Sequence, residues 1–152
     1  YWLPIDAGES RDANWISNND IKDSIASSNA KHVLLIVDSC FSGSLMRGSG
    51  ENKSVEKLTQ RHLDRLKTKT TRLVITSGGN EYVADGIGEA KNSVFAEPLI
   101  RALNNNNDVI RSIELFQRVQ KYVVENAEQT PNHSAIHGTG HDGGEFLFFP
   151  KS

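Results

Sequence analysis

The sequence predicts an α/β fold: a mostly parallel sheet flanked by helices. Two apolar runs carry that expectation, Val33 to Val37 ending in Asp38 (VLLIVD) and Arg72 to Thr76 (RLVIT). Runs of this length, rich in β-branched residues and without polar alternation, suit strands buried on both faces, the usual condition of a parallel sheet. The third observation is that segments of helical periodicity alternate with these runs, and such alternation favours a parallel sheet with helices packed on it.

The elements follow in order. Tyr1 to Ala7 is short and extended, with Pro4 suited to an edge or loop. Ser17 followed by Asp20 has the form of a capping box, so a short helix should follow with Ile21 and Ile25 on one face. Gly43 to Lys53 is rich in Gly and Ser and reads as an exposed loop. Ser54 to Leu66 forms an amphipathic pattern with Leu58, Leu63 and Leu66 inward. Asn92 to Leu103 places Phe95, Leu99 and Leu103 on one helical stripe, with Pro98 kinking the helix or delaying its start. The asparagine run 104–107 ends it. Ser112 is expected to cap a further helix whose inward face is Ile113, Phe116, Val119 and Val123. Gly143-Gly144 then leads into a last strand, Glu145 to Phe149.

Composition narrows the function classes. The chain has 152 residues, enough for one domain with a core. Lys plus Arg is 17 and Asp plus Glu is 19, a net charge of -2. There is thus no electrostatic case for nucleic acid or an anionic membrane as partner. The longest wholly apolar run, Val33 to Val37, is far too short to span a bilayer. A single cysteine, Cys40, makes no intramolecular disulfide. It fits a reducing, cytoplasmic compartment, either as buried filler or as a reactive group.

The chemistry is expected at the two strand ends. One gives Asp38-Ser39-Cys40-Phe41-Ser42-Gly43, the other Thr76-Ser77-Gly78-Gly79. In a parallel sheet both carboxyl ends lie on one edge, and open α/β sheets build their sites there. Cys40 therefore sits where a nucleophile belongs, with small residues after it that keep backbone N–H groups accessible to an oxyanion. The competing reading is a small core residue. A phosphate-cradling Cys loop fits less well: Arg47 is one residue out of register, and Asp38 would repel phosphate.

DSCFSG at 38–43, at the end of VLLIV, resembles the metacaspases and prokaryotic caspase-like cysteine peptidases. The likeness continues in YWLPIDA at 1–7, ITSGGNEYVADG at 75–86, NSVFAEPLIRAL at 92–103 and GGEFLFFP at 143–150. It covers nearly the whole chain, in the family's order. The resemblance implies that residues 1–152 form the C-terminal part of one caspase-like catalytic domain, with 43–71 an intersubunit linker and helix within it. It implies Cys40 as nucleophile and Asp38 as the acidic floor of an S1 pocket for Arg or Lys, since a carboxylate pairs bidentately with a guanidinium. Ser77 and Gly78 would line the cleft through their backbone, one of Glu81 and Asp85 would add a second acidic wall unless both are solvated loop acids, and Arg47 would be a self-cleavage site. The aspartate-directed Gln-Ala-Cys pattern of animal caspases is absent.

The resemblance also implies a His-Gly pair just before Tyr1, with the first strands of the fold, so the sheet is expected to be incomplete here. The missing N-terminal part of the same domain is then the expected partner besides a peptide substrate, and this chain alone is expected to be inactive. A non-catalytic caspase-like interaction module is the alternative. Among the five histidines, His32 and His62 read as structural or solvated, His133 as part of a turn after Pro131, and His137 and His141 as a surface loop. That loop supplies too few ligands for zinc, and no acidic cluster has the spacing of a calcium loop. No metal and no cofactor are expected.

Overall fold

The computed structural model describes residues 1–7, 14–39, 58–79 and 92–150. Among them the order is α1 (Asn18–Ser27), β1 (His32–Val37), α2 (Gln60–Thr68), β2 (Thr71–Thr76), α3 (Ala96–Asn104), β3 (Ile110–Arg111), α4 (Ser112–Asn126), β4 (Asn132–Ala135) and β5 (Leu147–Phe148). No helix of the described residues is long and apolar enough to cross a membrane.

The two apolar runs pair as parallel neighbours, in register from His32↔Thr71 to Val37↔Thr76. The sheet has the order β1-β2-β4, and β4 runs antiparallel to β2, from Leu73↔Ala135 to Thr76↔Asn132. The main sheet is therefore mixed rather than mostly parallel. His133, expected in a turn, sits within β4 opposite Ile75. Asn-His-Ser-Ala carries no apolar signal of its own, and only its ladder with β2 makes it a strand. The expected last strand is confined to Leu147–Phe148 and pairs antiparallel with β3 in a separate two-stranded sheet.

Central β2 is buried along its whole length, as an apolar strand with neighbours on both sides should be. Alternate side chains serve two cores. Ile75 joins Val94, Phe95, Phe116, Val119 and Val123, with Leu34 and Leu99 packed against them. Val74 joins Val37 and Ile136, against Trp2, Ile25 and Leu35. Thus α3 and α4 cover one face, and α1 and Trp2 part of the other. Strand β1 departs from the expected burial: most of it is half-buried and Ile36 is 37% exposed. Among the described residues it pairs with β2 alone, and an apolar groove of about 260 Å³ opens between it and α1.

Helix boundaries follow local chemistry. Ser17 and Asp20 close the capping box that starts α1: the Asp20 N–H donates to Ser17 Oγ at 3.1 Å, and the Ser17 N–H donates to Asp20 Oδ2 at 2.9 Å. Helix α2 starts at Gln60 because Thr59 Oγ1 accepts from the His62 N–H at 3.2 Å, later than the pattern from Ser54 suggests. Pro98 falls in the first turn of α3, where its missing N–H costs nothing. In α4 the N-cap is Arg111, not Ser112: the Arg111 N–H donates to Glu114 Oε2 at 2.8 Å. Leu115, outside the predicted inward stripe, is fully buried.

Ser112 is committed elsewhere. Its hydroxyl donates to Glu145 Oε1 and lies 2.9 Å from His133 Nε2. The Phe146 N–H donates to the same carboxylate oxygen at 3.0 Å, and the His133 ring lies 5.6 Å from Phe116 between centroids. A part-buried Ser112–His133–Glu145 cluster thus ties α4, β4 and the approach to β5 together. The neighbouring glycine is required: a Cβ at Gly144 would collide with the Thr71 hydroxyl and approach the Lys69 and Thr70 carbonyls to 2.9 Å.

Burial raises the Glu145 pKa; the Ser112 and Phe146 hydrogen bonds and the charge of Arg111 oppose the shift, and the charge of Glu114 adds to it. A carboxyl whose folded pKa lies above its unfolded value contributes stability that is complete below the unfolded pKa and lost as pH rises through the folded one. Glu145→Gln, which mimics the neutral acid, should therefore match wild type at or below the ordinary glutamate value of 4.5 and gain on it as pH rises towards neutrality. Paired urea melts across that range check this. A difference between the two proteins that is flat, or falls with pH, would refute it.

Candidate active site

The parallel pairing of β1 with β2 brings Asp38 and Ser77 to one sheet edge. The ladder continues one step past the strands, where the Ser77 N–H donates to the Val37 carbonyl at 2.9 Å. Asp38 is exposed there, and Ser77 and Gly78 are buried. The Ser77 carbonyl accepts from Gln129 Nε2 at 2.9 Å, which fixes the path of the chain as it leaves β2. The hydroxyls of Thr76 and Ser77 are buried with no hydrogen-bond partner among the described residues. Cys40 follows Asp38 by two residues; it, Arg47, Glu81 and Asp85 lie outside the described residues.

Asp38 is held from the other side of the site by the entry to α3. Ser93 Oγ donates to Asp38 Oδ2, and the same serine oxygen accepts from the Ala96 N–H at 2.8 Å. Asn92 Nδ2 donates to Glu97 Oε2 at 3.0 Å, closing the turn. One serine thus caps α3 and orients the strand-end carboxylate. Asp38 is otherwise exposed, which leaves its carboxylate accessible to a cationic ligand. The Ser93 and Gln129 contacts were not foreseen. Ser93 lay inside the stretch expected to be helical, and only the later start of α3 at Ala96 frees it for this contact; Gln129 carried no signal.

The histidines take structural places. His32 Nδ1 lies 2.9 Å from Thr71 Oγ1, across the β1–β2 ladder. His141 Nδ1 accepts from the Arg72 N–H at 3.1 Å, pinning its loop to the amino end of β2, opposite to the edge that carries Asp38. His137 is exposed, next to Gly138 at φ 81°. Arg72 itself is buried, its guanidinium donating to the carbonyls of Ser28, Lys31 and Thr71 at 2.8–3.1 Å. Among the described residues no three of His, Cys, Asp and Glu are grouped to hold a metal ion.

The family model of the caspase domain matches residues 1–140. The chain belongs to the caspase domain family. No curated protein and no solved structure matches it significantly. The α/β layout, with four helices among the described residues and parallel pairing of β1 with β2, is consistent with a caspase domain. In this caspase domain the carboxyl edge of the parallel pair, where Asp38, Ser77 and Gly78 meet, is the candidate active site.

Proposed function

We propose that this caspase domain is the nucleophile-bearing part of a cysteine endopeptidase that cleaves after Arg or Lys. The observation that carries the reading is the exposed Asp38 carboxylate, anchored by Ser93 at the sheet edge, two residues before the chain's single cysteine. Family membership supports peptidase chemistry, and a fixed acid beside the nucleophile supports a basic P1 residue.

In this reading the Cys40 thiolate attacks the scissile carbonyl carbon, and backbone N–H groups hold the oxyanion. The C–N bond then breaks, with an imidazolium giving its proton to the leaving amine. Water attacks the resulting thioester, the imidazole takes its proton, and the thiolate departs. His32, His133 and His141 are engaged structurally, His137 is exposed on a loop and His62 lies on α2; the family resemblance supports an imidazole from a segment outside these 152 residues, which is the proposed partner. Asp38 binds the P1 cation; Ser77 and Gly78 form one wall of the cleft, and Glu81 and Asp85 add negative charge.

The test supplies a caspase-family segment bearing the His-Gly pair, in cis or in trans, and profiles a P1 library. Turnover of Arg and Lys substrates, lost on mutating the supplied histidine, is expected. Preference for Asp at P1 would refute the specificity. If the chain alone turns over such substrates and His137→Ala or His141→Ala removes the activity, the assignment of the base is wrong.

A further inference from the structure

The packed pair α3 and α4 forms a second surface feature, away from the sheet edge. Each helix contributes a stripe with the same i, i+3, i+4, i+7 spacing: Pro98, Arg101 and Ala102 of α3 with its C-cap Asn105, and Arg118, Lys121, Tyr122 and Glu125 from α4. Residues so spaced share one helix face. The two faces enclose an open groove of about 390 Å³. Its floor is Pro98, Ala102 and Tyr122, buried or half-buried, and its rim is Arg101, Arg118, Lys121, Asn105 and Glu125, all exposed.

The charge of the groove contrasts with that of the protein. Three cations face one carboxylate, in a chain whose net charge is -2. Arg101, Arg118 and Lys121 form no ion pair among the described residues. The Arg101 guanidinium lies over the Tyr122 ring at 5.2 Å from its centroid, which holds one cation in place at the groove wall. Seven residues of helix span about 10 Å, the length of about three residues of extended peptide.

We propose that the α3–α4 groove binds a short acidic peptide segment of a partner protein, in extended form, with carboxylates at the cationic rim and one apolar side chain on the Tyr122–Pro98 floor. The occupant is assigned by charge complementarity. This binding does not rest on the peptidase proposal, and a peptide without Arg or Lys would not be a substrate under it.

Fluorescence anisotropy of the whole chain with a labelled Asp-Glu-Asp-Leu-Asp-Glu peptide tests it. Saturable binding is expected in low salt, weakening as ionic strength rises to about 0.5 M. The double variant Arg118→Glu/Lys121→Glu should weaken binding by about tenfold or more, and should instead bind the charge-inverted Lys-Arg-Lys-Leu-Lys-Arg peptide. Lys31→Glu/Arg61→Glu, with the same change in net charge outside the groove, should leave affinity within about twofold. Equal loss in this control, no binding by wild type, or equal affinity of wild type for a single-stranded RNA oligomer of matched charge would each overturn the proposal.

Discussion

Cys40→Ala should lower kcat/KM of the histidine-supplied enzyme towards an arginine substrate by about 10⁴-fold or more, with KM little changed. A covalent nucleophile acts in the transition state and not in substrate binding, and its loss leaves only the residual catalysis of oxyanion donors and positioning. The same variant should lose a second activity. Residues 38–70 join β1 to β2, and Arg47 lies in their Gly/Ser-rich part, where the proposed function expects cleavage after a basic residue. Intact-mass analysis should show the cut at Arg47 in the active enzyme and none in Cys40→Ala. The same cut in both proteins would assign it to an outside protease. Unchanged turnover in Cys40→Ala would remove Cys40 from the chemistry altogether.

Asp38→Asn carries the second large effect. Asparagine keeps an oxygen that can accept from Ser93 but removes the charge that would pair with a guanidinium. A charge-assisted, bidentate contact is worth several kcal/mol when one partner is lost in a desolvated site, so kcat/KM for P1 Arg should fall by about 10²-fold or more. Turnover of the neutral isostere citrulline at P1 should change by less than about tenfold. Ser93→Ala removes one hydrogen bond and leaves the charge, so its effect on P1 Arg should also stay below about tenfold. An unchanged ratio of Arg to citrulline in Asp38→Asn would show that Asp38 is a strand-end carboxylate bonded locally and nothing more.

Under the proposed function, the placement of Asp38 would make the edge specific before substrate arrives. The carboxylate is held between the end of β1 and the segment that enters α3, which are joined through the core that contains Phe95 and Ile75. A site residue fixed by packed elements loses little freedom on binding. In contrast, the groove on α3 and α4 lies on the outer side of those helices and shares no residue with the edge. The proposed occupancy of the groove and the proposed cleavage at the edge can thus be measured separately.

Much of this architecture is written in local pattern. The apolar runs at Val33 to Val37 and Leu73 to Ile75, the Ser17–Asp20 box and the stripes of α3 and α4 each report burial or capping within a few residues. The family resemblance carried by the strand ends is equally local. What chain-distant pairing decides could not be read this way. β4 is a strand only because β2 offers its free edge to a polar tetrapeptide, and that pairing turns an expected parallel sheet into a mixed one. Arg72 directly precedes the apolar run yet is buried because the carbonyls of Ser28 and Lys31 reach it. Ser112 gives up helix capping for Glu145 and His133, 33 and 21 residues away along the chain. The sequence by itself determined the two apolar strands, the helical stripes and the family; only the tertiary structure decided that β2 is buried while β1 is half-exposed and which polar groups meet, because strand order and hydrogen bonds between distant residues leave no periodicity behind.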